Sequence, residues 1–151
     1  MEDTNEIDEF LHRHIKSILE NDLKTYHETT SPDLTLYEWF VTPHRINGID
    51  FHDFMMESNA SRGTVFGTES GSDLVEKNKQ TRFDLANLHI QQYQNTAIAS
   101  YTLLVSISQE TGVKVIAHNE SRVMVKQNGK WLVVHCHKSP AWDAPRSSPN
   151  P

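Results

Sequence analysis

The chain has 151 residues, 36% of them apolar and 23% charged, which fits one soluble globular domain with a real core. Its formal net charge of −6 comes with no Lys/Arg-rich run, which argues against nucleic-acid and anionic-membrane partners. A single cysteine, Cys136, excludes an internal disulfide framework, and the acidic start lacks a leader's basic residues, so a cytoplasmic location is expected. Ile7, Phe10, Leu11, His14, Ile15, Ile18 and Leu19 recur at spacings of three and four, which predicts an amphipathic helix. Asp3 and Glu6 resemble its capping box. Asp22 is the expected N-cap of a short second helix, and Pro32 closes that region. Leu34 to Phe40 is rich in β-formers and reads as a strand; Asp50 then starts a short helix with Phe51, Phe54 and Met55 on one side.

Residues 58–80 are polar, hold three of the six glycines and show no sustained period. They read as a long, partly mobile loop insertion, with one helical turn near Asp73 to Lys77. The remainder is strand: Phe83 to Tyr93, Thr96 to Ser108, Val113 to Lys126 and Lys130 to Lys138. Turn signals separate them at Gln94-Asn95, Glu110-Thr111-Gly112 and Asn128-Gly129, the last pair suited to a type I′ hairpin. Residues 1–140 therefore form one domain, and 141–151 a Pro-rich, extended or disordered tail. Helices followed by a meander of long strands describe an α+β fold. One curved sheet, mixed or antiparallel, wrapped around the N-terminal helix would bury that helix and leave a cone with a pocket at its mouth.

The hairpin from Glu120 to Ser139 is unusually polar for a pair of strands. Alternation puts Ile116, His118, Glu120, Arg122 and Met124 on one face. On the last strand it puts Val134, Cys136 and Lys138 on one face and Trp131, Val133, His135 and His137 on the other. Arg122 and Lys138 can then both face the cavity, with Trp131, Val133, His135 and His137 on an outer, interface-forming face. Arg122 is either a pocket cation or the structural partner of Glu120. His135 and His137 have the spacing of two metal ligands, but no third ligand is evident, so neither a metal nor any other cofactor is expected. Cys136 reads as a buried, inert thiol, and Tyr37, Trp39 and Tyr101 as core aromatics rather than a ligand cage.

Three pieces of the chain resemble the association (hub) domain of calcium/calmodulin-dependent protein kinase II, within the nuclear transport factor 2-like superfamily. They are INGIDFHDFMMES from Ile46, HNESRVMVKQNGKW from His118 and VHCHKSP from Val134. The resemblance implies a cystatin-like α+β roll and self-association as a homodimer building a dodecameric or tetradecameric ring. It also implies a pocket with a histidine and three arginines that accepts small carboxylates. His52 matches the histidine and Arg122 one arginine; Lys138 replaces the second, keeping charge without the bidentate fork. The third falls at about Thr102 in an ungapped count, where the charge is lost. The expected ligand-binding set is thus His52, Arg122, Lys138, Thr102 and Tyr101. No kinase signature is present, so any kinase would act as a partner in trans.

Two classes of function follow. The first is a non-catalytic assembly module, gated by a small acid in the pocket. The second is a small enzyme of the isomerase or cyclase type, with His52, His118 or Glu120 as base and Arg122 as electrostatic partner.

Overall fold

The computed structural model describes residues 4–62 and 81–141. Helix α1 (Asn5–Leu19) opens the chain, with Thr4 at the N-cap and no side-chain cap bond; Asp3, half of the expected capping box, lies outside the described residues. Asp22 does cap α2 (Leu23–Thr29), its carboxylate accepting from the Thr25 amide at 3.2 Å and hydroxyl at 2.7 Å. Strand β1 (Thr30–Glu38) follows directly, running through the Pro32 expected to end that region. The register of β1 against its neighbour slips between Thr30 and Thr35, so no ladder pairing is demanded of Pro32.

A two-residue strand, β2 (Ile46–Asn47), was not foreseen; α3 (Asp50–Arg62) was, but it is longer than expected and takes over residues 58–62 from the anticipated loop. Its orientation also differs. His52, Met56 and Asn59 form the buried face, while Phe54 is 66% exposed. Residues 63–80, including the helical turn expected at Asp73 to Lys77, lie outside the described set, as do 142–151. The four long strands are β3 (Thr81–Tyr93), β4 (Thr96–Gln109), β5 (Gly112–Gln127) and β6 (Lys130–Pro140).

The six strands form one sheet in the order β2-β1-β6-β5-β4-β3. Only β1 and β6 run parallel, so the sheet is mixed. The β5–β6 turn holds Asn128 at φ 53° and Gly129 at φ 78°, the pair of positive dihedrals a type I′ turn requires. Register shifts interrupt β3 between Ala86 and His89, and β6 where Met124 faces Val133 but Val123 faces His135. Such bulges bend strands and strengthen twist, which lets the sheet curl. The α1 face of Ile7, Leu11 and Ile15 packs into the concave side, against Ala97, Ala99, Leu103 and Val105 of β4 and Met124 of β5. The architecture is the α+β roll read from the order of elements.

Burial of Leu11 is complete, so Leu11→Ala should cost about 2–5 kcal/mol. Urea unfolding would show it as a lower midpoint at unchanged slope.

Candidate functional site

The concave face becomes polar toward the C-terminal end of β1. There Leu34, Leu36 and Glu38 point inward in alternation, and Glu38 is fully buried. Register places Glu38 beside Lys138, Lys138 beside Glu120, and Glu120 beside Tyr101. One cross-strand row over β1, β6, β5 and β4 therefore reads acid, base, acid, phenol, with every member at most 5% exposed. Opposite charges on directly facing strand positions attract, and here they do so away from water.

The next row explains how Arg122 fits. It faces Cys136 on one side and Ala99 on the other, two small side chains that leave room for a guanidinium. From there Arg122 reaches the Glu120 carboxylate and donates to the Tyr101 hydroxyl at 2.5 Å. Tyr101 itself donates to Glu120 Oε1 at 2.7 Å. On the other flank Lys138 Nζ donates to Glu38 Oε1 at 2.8 Å, and His52 Nε2 lies 3.0 Å from the same oxygen. His52 Nδ1 meets the Tyr26 hydroxyl of α2 at 2.5 Å, so Glu38 and His52 link β1 and β6 to α2 and α3. His118 Nδ1 is 3.9 Å from Glu120 Oε2, and the rings of Trp39 and Phe40 pack on His118.

Electrostatics agree with this pairing. Burial alone would raise the Glu38 carboxyl, but the Lys138 ammonium and His52 override it and hold it down at about 2. Burial likewise opposes ionisation of Glu120, and the Arg122 guanidinium overcomes that, holding it well below the usual carboxylate range. Both acids are ionised and both cations are neutralised from within the chain. His14, on α1 near this cluster, is lowered by burial first and then by the Arg122 charge; its Nδ1 bonds Thr29 Oγ1 at 2.9 Å. Burial raises the Cys136 thiol to about 11, so it is a poor nucleophile. The cavity lined by Ile15, Leu103, His118, Glu120, Arg122 and Lys138 leaves ≈20 Å³ for water centres, about enough for one water.

Of the residues expected from sequence, Arg122, Lys138, Glu120, His118 and Tyr101 gather on the inner face, with His52 one step away behind Glu38. Thr102 does not. It turns outward and bonds Asn119 Oδ1 of β5 at 2.7 Å, because alternation on β4 sends Tyr101 and Leu103 inward instead. Trp131 and Val133 also depart from expectation: they are 5% and 1% exposed and belong to the core, not the outer face. The bulge at Val134 adds one residue between Val133 and His135, which reverses parity. Beyond it His135 and His137 do point outward, His135 Nδ1 against Thr35 Oγ1 at 2.8 Å and His137 against the Tyr37 ring, with centroids 4.9 Å apart. Among the described residues no group of three or more His, Cys, Asp or Glu side chains could hold a metal.

Sequence reasoning missed Glu38, Tyr26 and a structural part for His14. The signal for Glu38 was present in Leu34-Thr35-Leu36-Tyr37-Glu38, where an acid occupies the third inward position of an alternating strand.

The site is thus a curved sheet closed over a helix, with two buried acids paired to two buried cations on its inner face. Comparison with known proteins gives this architecture a family. The family model for the calcium/calmodulin-dependent protein kinase II association domain matches residues 3–142, and the chain belongs to that family. It is 26% identical over 137 residues to the delta subunit of calcium/calmodulin-dependent protein kinase type II from Oryctolagus cuniculus, covering 89% of this chain and 23% of that one. The chain thus spans about a quarter of that relative's length. Among solved structures, the association domain of the C. elegans kinase superposes with a TM-score of 0.73 at 24% identity, covering 90% of this chain and 94% of that one. The S. rosetta kinase hub gives 0.68 at 22%, covering 89% and 94%. Association is the role this family membership carries to the chain.

The two buried pairs should behave as units. Glu38→Leu removes the acid hydrogen-bonded to buried Lys138 and should cost about 3–5 kcal/mol, while adding Lys138→Met should recover most of that loss in a urea-unfolding cycle. Additive losses would contradict the pairing. The pH dependence has a definite sign. His14 and Glu38 both have folded pKa values below their ordinary values of 6.5 and 4.5, so the unfolded chain binds protons more readily. Stability is complete above those values and lost as pH falls. The Tm should decline in two stages, from about 6.5 and again between 4.5 and about 2; His14→Gln should shrink the first stage, leaving the part that His135 contributes.

Proposed function

We propose that the domain is a self-associating hub: a homodimer formed through the outer face of its sheet and repeated into a closed ring. The observation that carries this reading is the contrast between the two faces. Inside, Arg122 and Lys138 are paired with Glu120 and Glu38. Outside, Ile98, Leu104, Ala117, Val123, Leu132 and Val134 are half-buried apolar positions, and Val113 and Val115 are 67% and 58% exposed. His135 and His137 stand among them. An apolar sheet face of this kind is satisfied by another copy, and a two-fold pairing sets the same patch against itself. A dodecamer or tetradecamer follows from the hub resemblance, and a kinase carried on another chain is the natural cargo of such a ring.

The carboxylate pocket takes a restricted form in this reading. Arg122 and Lys138 already hold Glu120 and Glu38, so a small carboxylate must compete with an internal acid for its cation. Of the bases the enzyme reading names, Glu120 is held ionised by Arg122 and makes a weak base at neutral pH.

Multi-angle light scattering at micromolar concentration should give a mass many times the 17.3 kDa of one chain. His135→Glu should lower it. A monomer would end the hub reading; a full ring unmoved by His135→Glu would end the placement of its interface.

A further inference from the structure

The chain holds two Asn-Gly pairs, Asn47-Gly48 and Asn128-Gly129, and the fold treats them differently. This dipeptide carries a chemistry of its own. A glycine has no side chain to block its amide nitrogen, which can reach the carboxamide carbon of the preceding asparagine and close a five-membered imide. Closure needs an amide outside the backbone hydrogen-bond ladder and a peptide plane that can turn.

Asn47-Gly48 meets neither condition. Asn47 lies in β2, paired with Thr35 of β1. The Gly48 amide donates to the Leu34 carbonyl at 2.6 Å, and Arg45 Nε donates to Asn47 Oδ1 at 2.8 Å. Turning that plane would break the bond that secures β2.

Asn128-Gly129 meets both. The two residues stand between β5 and β6, outside the ladder that begins at Gln127 and Lys130, and both are exposed. Space beside Gly129 is open. With φ of 53° and 78° the pair forms a type I′ turn. A type II′ turn keeps the positive φ of the first residue and differs in the peptide plane between the two, with ψ of about −120° before it and φ of about −80° after it. Flipping that single plane therefore interconverts two turns that both close a hairpin, and Gly129 accepts either sign of φ. In the II′ form the Gly129 nitrogen eclipses Cβ of Asn128, against the carboxamide carbon.

We propose that Asn128 is a site of spontaneous covalent modification, passing through a cyclic imide with Gly129 to aspartate and isoaspartate while Asn47 stays intact. The Gly129 nitrogen bonds to Asn128 Cγ, the Cγ–Nδ2 bond breaks, and ammonia leaves with the proton the nitrogen gives up. Water then adds its hydroxyl to one imide carbonyl and its proton to the ring nitrogen. Opening at Cγ gives aspartate; opening at the main-chain carbonyl gives isoaspartate, with the chain running through the former side chain. Nothing is oxidised or reduced. Either product places a carboxylate between Lys126 and Lys130, where a neutral amide stood. Isoaspartate also lengthens the main chain of a two-residue turn, and turn length sets the β5–β6 register that faces Glu120 with Lys138.

Folded protein held in mildly alkaline buffer, sampled over days and mapped by mass spectrometry after proteolysis, tests the site. Asn128 should convert at least ~5-fold faster than Asn47, giving isoaspartate as well as aspartate, because hydrogen bonds restrain only the second pair. In urea the two rates should converge to within ~2-fold, since the strand pairing that protects Asn47 is then lost. Asn128→Gly keeps a type I′ Gly-Gly turn and should remove most of the acidic species that isoelectric focusing resolves in aged wild type. Equal rates at the two asparagines of the folded protein, including none at either, overturn the proposal. So does aspartate without isoaspartate, the product of direct hydrolysis, or an aged Asn128→Gly sample with undiminished acidic species.

Discussion

The structure depends on one buried row in which Glu38, Lys138, Glu120 and Tyr101 face one another across four strands, with Arg122 inserted from the adjoining row. Two acids and two bases lie out of water, and each would cost several kcal/mol if left alone. Their register makes isolation unnecessary: Glu38, Lys138 and Glu120 each have an opposite charge as a cross-strand neighbour, and Arg122 has Glu120 two residues along its own strand. The parallel β1–β6 pairing is what joins the halves, since it delivers Glu38 to Lys138. Slipping β1 by one residue would turn Glu38 outward and leave Lys138 without it, so the row also specifies the one parallel contact of the sheet.

This row shapes function by what it withholds. Cations that could accept a ligand are engaged by internal carboxylates, and the space between them is about that of a water molecule. An acid held ionised by a guanidinium is likewise a poor proton acceptor. The interior therefore supports shape, tying α2 and α3 to the sheet through Tyr26, His52 and Glu38. In the proposed hub, recognition falls to the outer face, where half-buried and exposed apolar strand positions stand with His135 and His137.

Much of this was legible in the residues. The helix face of α1, the Asp22 cap, the four long strands and the Asn128-Gly129 turn each follow from periodicity or turn chemistry. So does the inward placement of His118, Glu120 and Arg122. What was not legible has physical causes. A bulge leaves no mark in alternation, so the extra residue at Val134 reversed the faces assigned to Trp131 and Val133. Thr102 was placed by counting along a resemblance, and an ungapped count cannot see that β4 turns Tyr101 inward instead. Helix α3 turns His52 inward rather than Phe54 because His52 bonds Glu38 of a distant strand and Tyr26, while Met56 on the same face packs with Ile18 and Tyr26.

The central claim is that the outer sheet face, and not the charged interior, is where copies meet. Histidine modification by diethyl pyrocarbonate, read by mass spectrometry across a dilution series, tests it most directly. His89, His135 and His137 should be modified more slowly as concentration rises, while the half-exposed His12 of α1 reacts at a constant rate. Equal reactivity of these outer-face histidines at all concentrations, in a protein whose mass shows that it is assembled, would contradict the account.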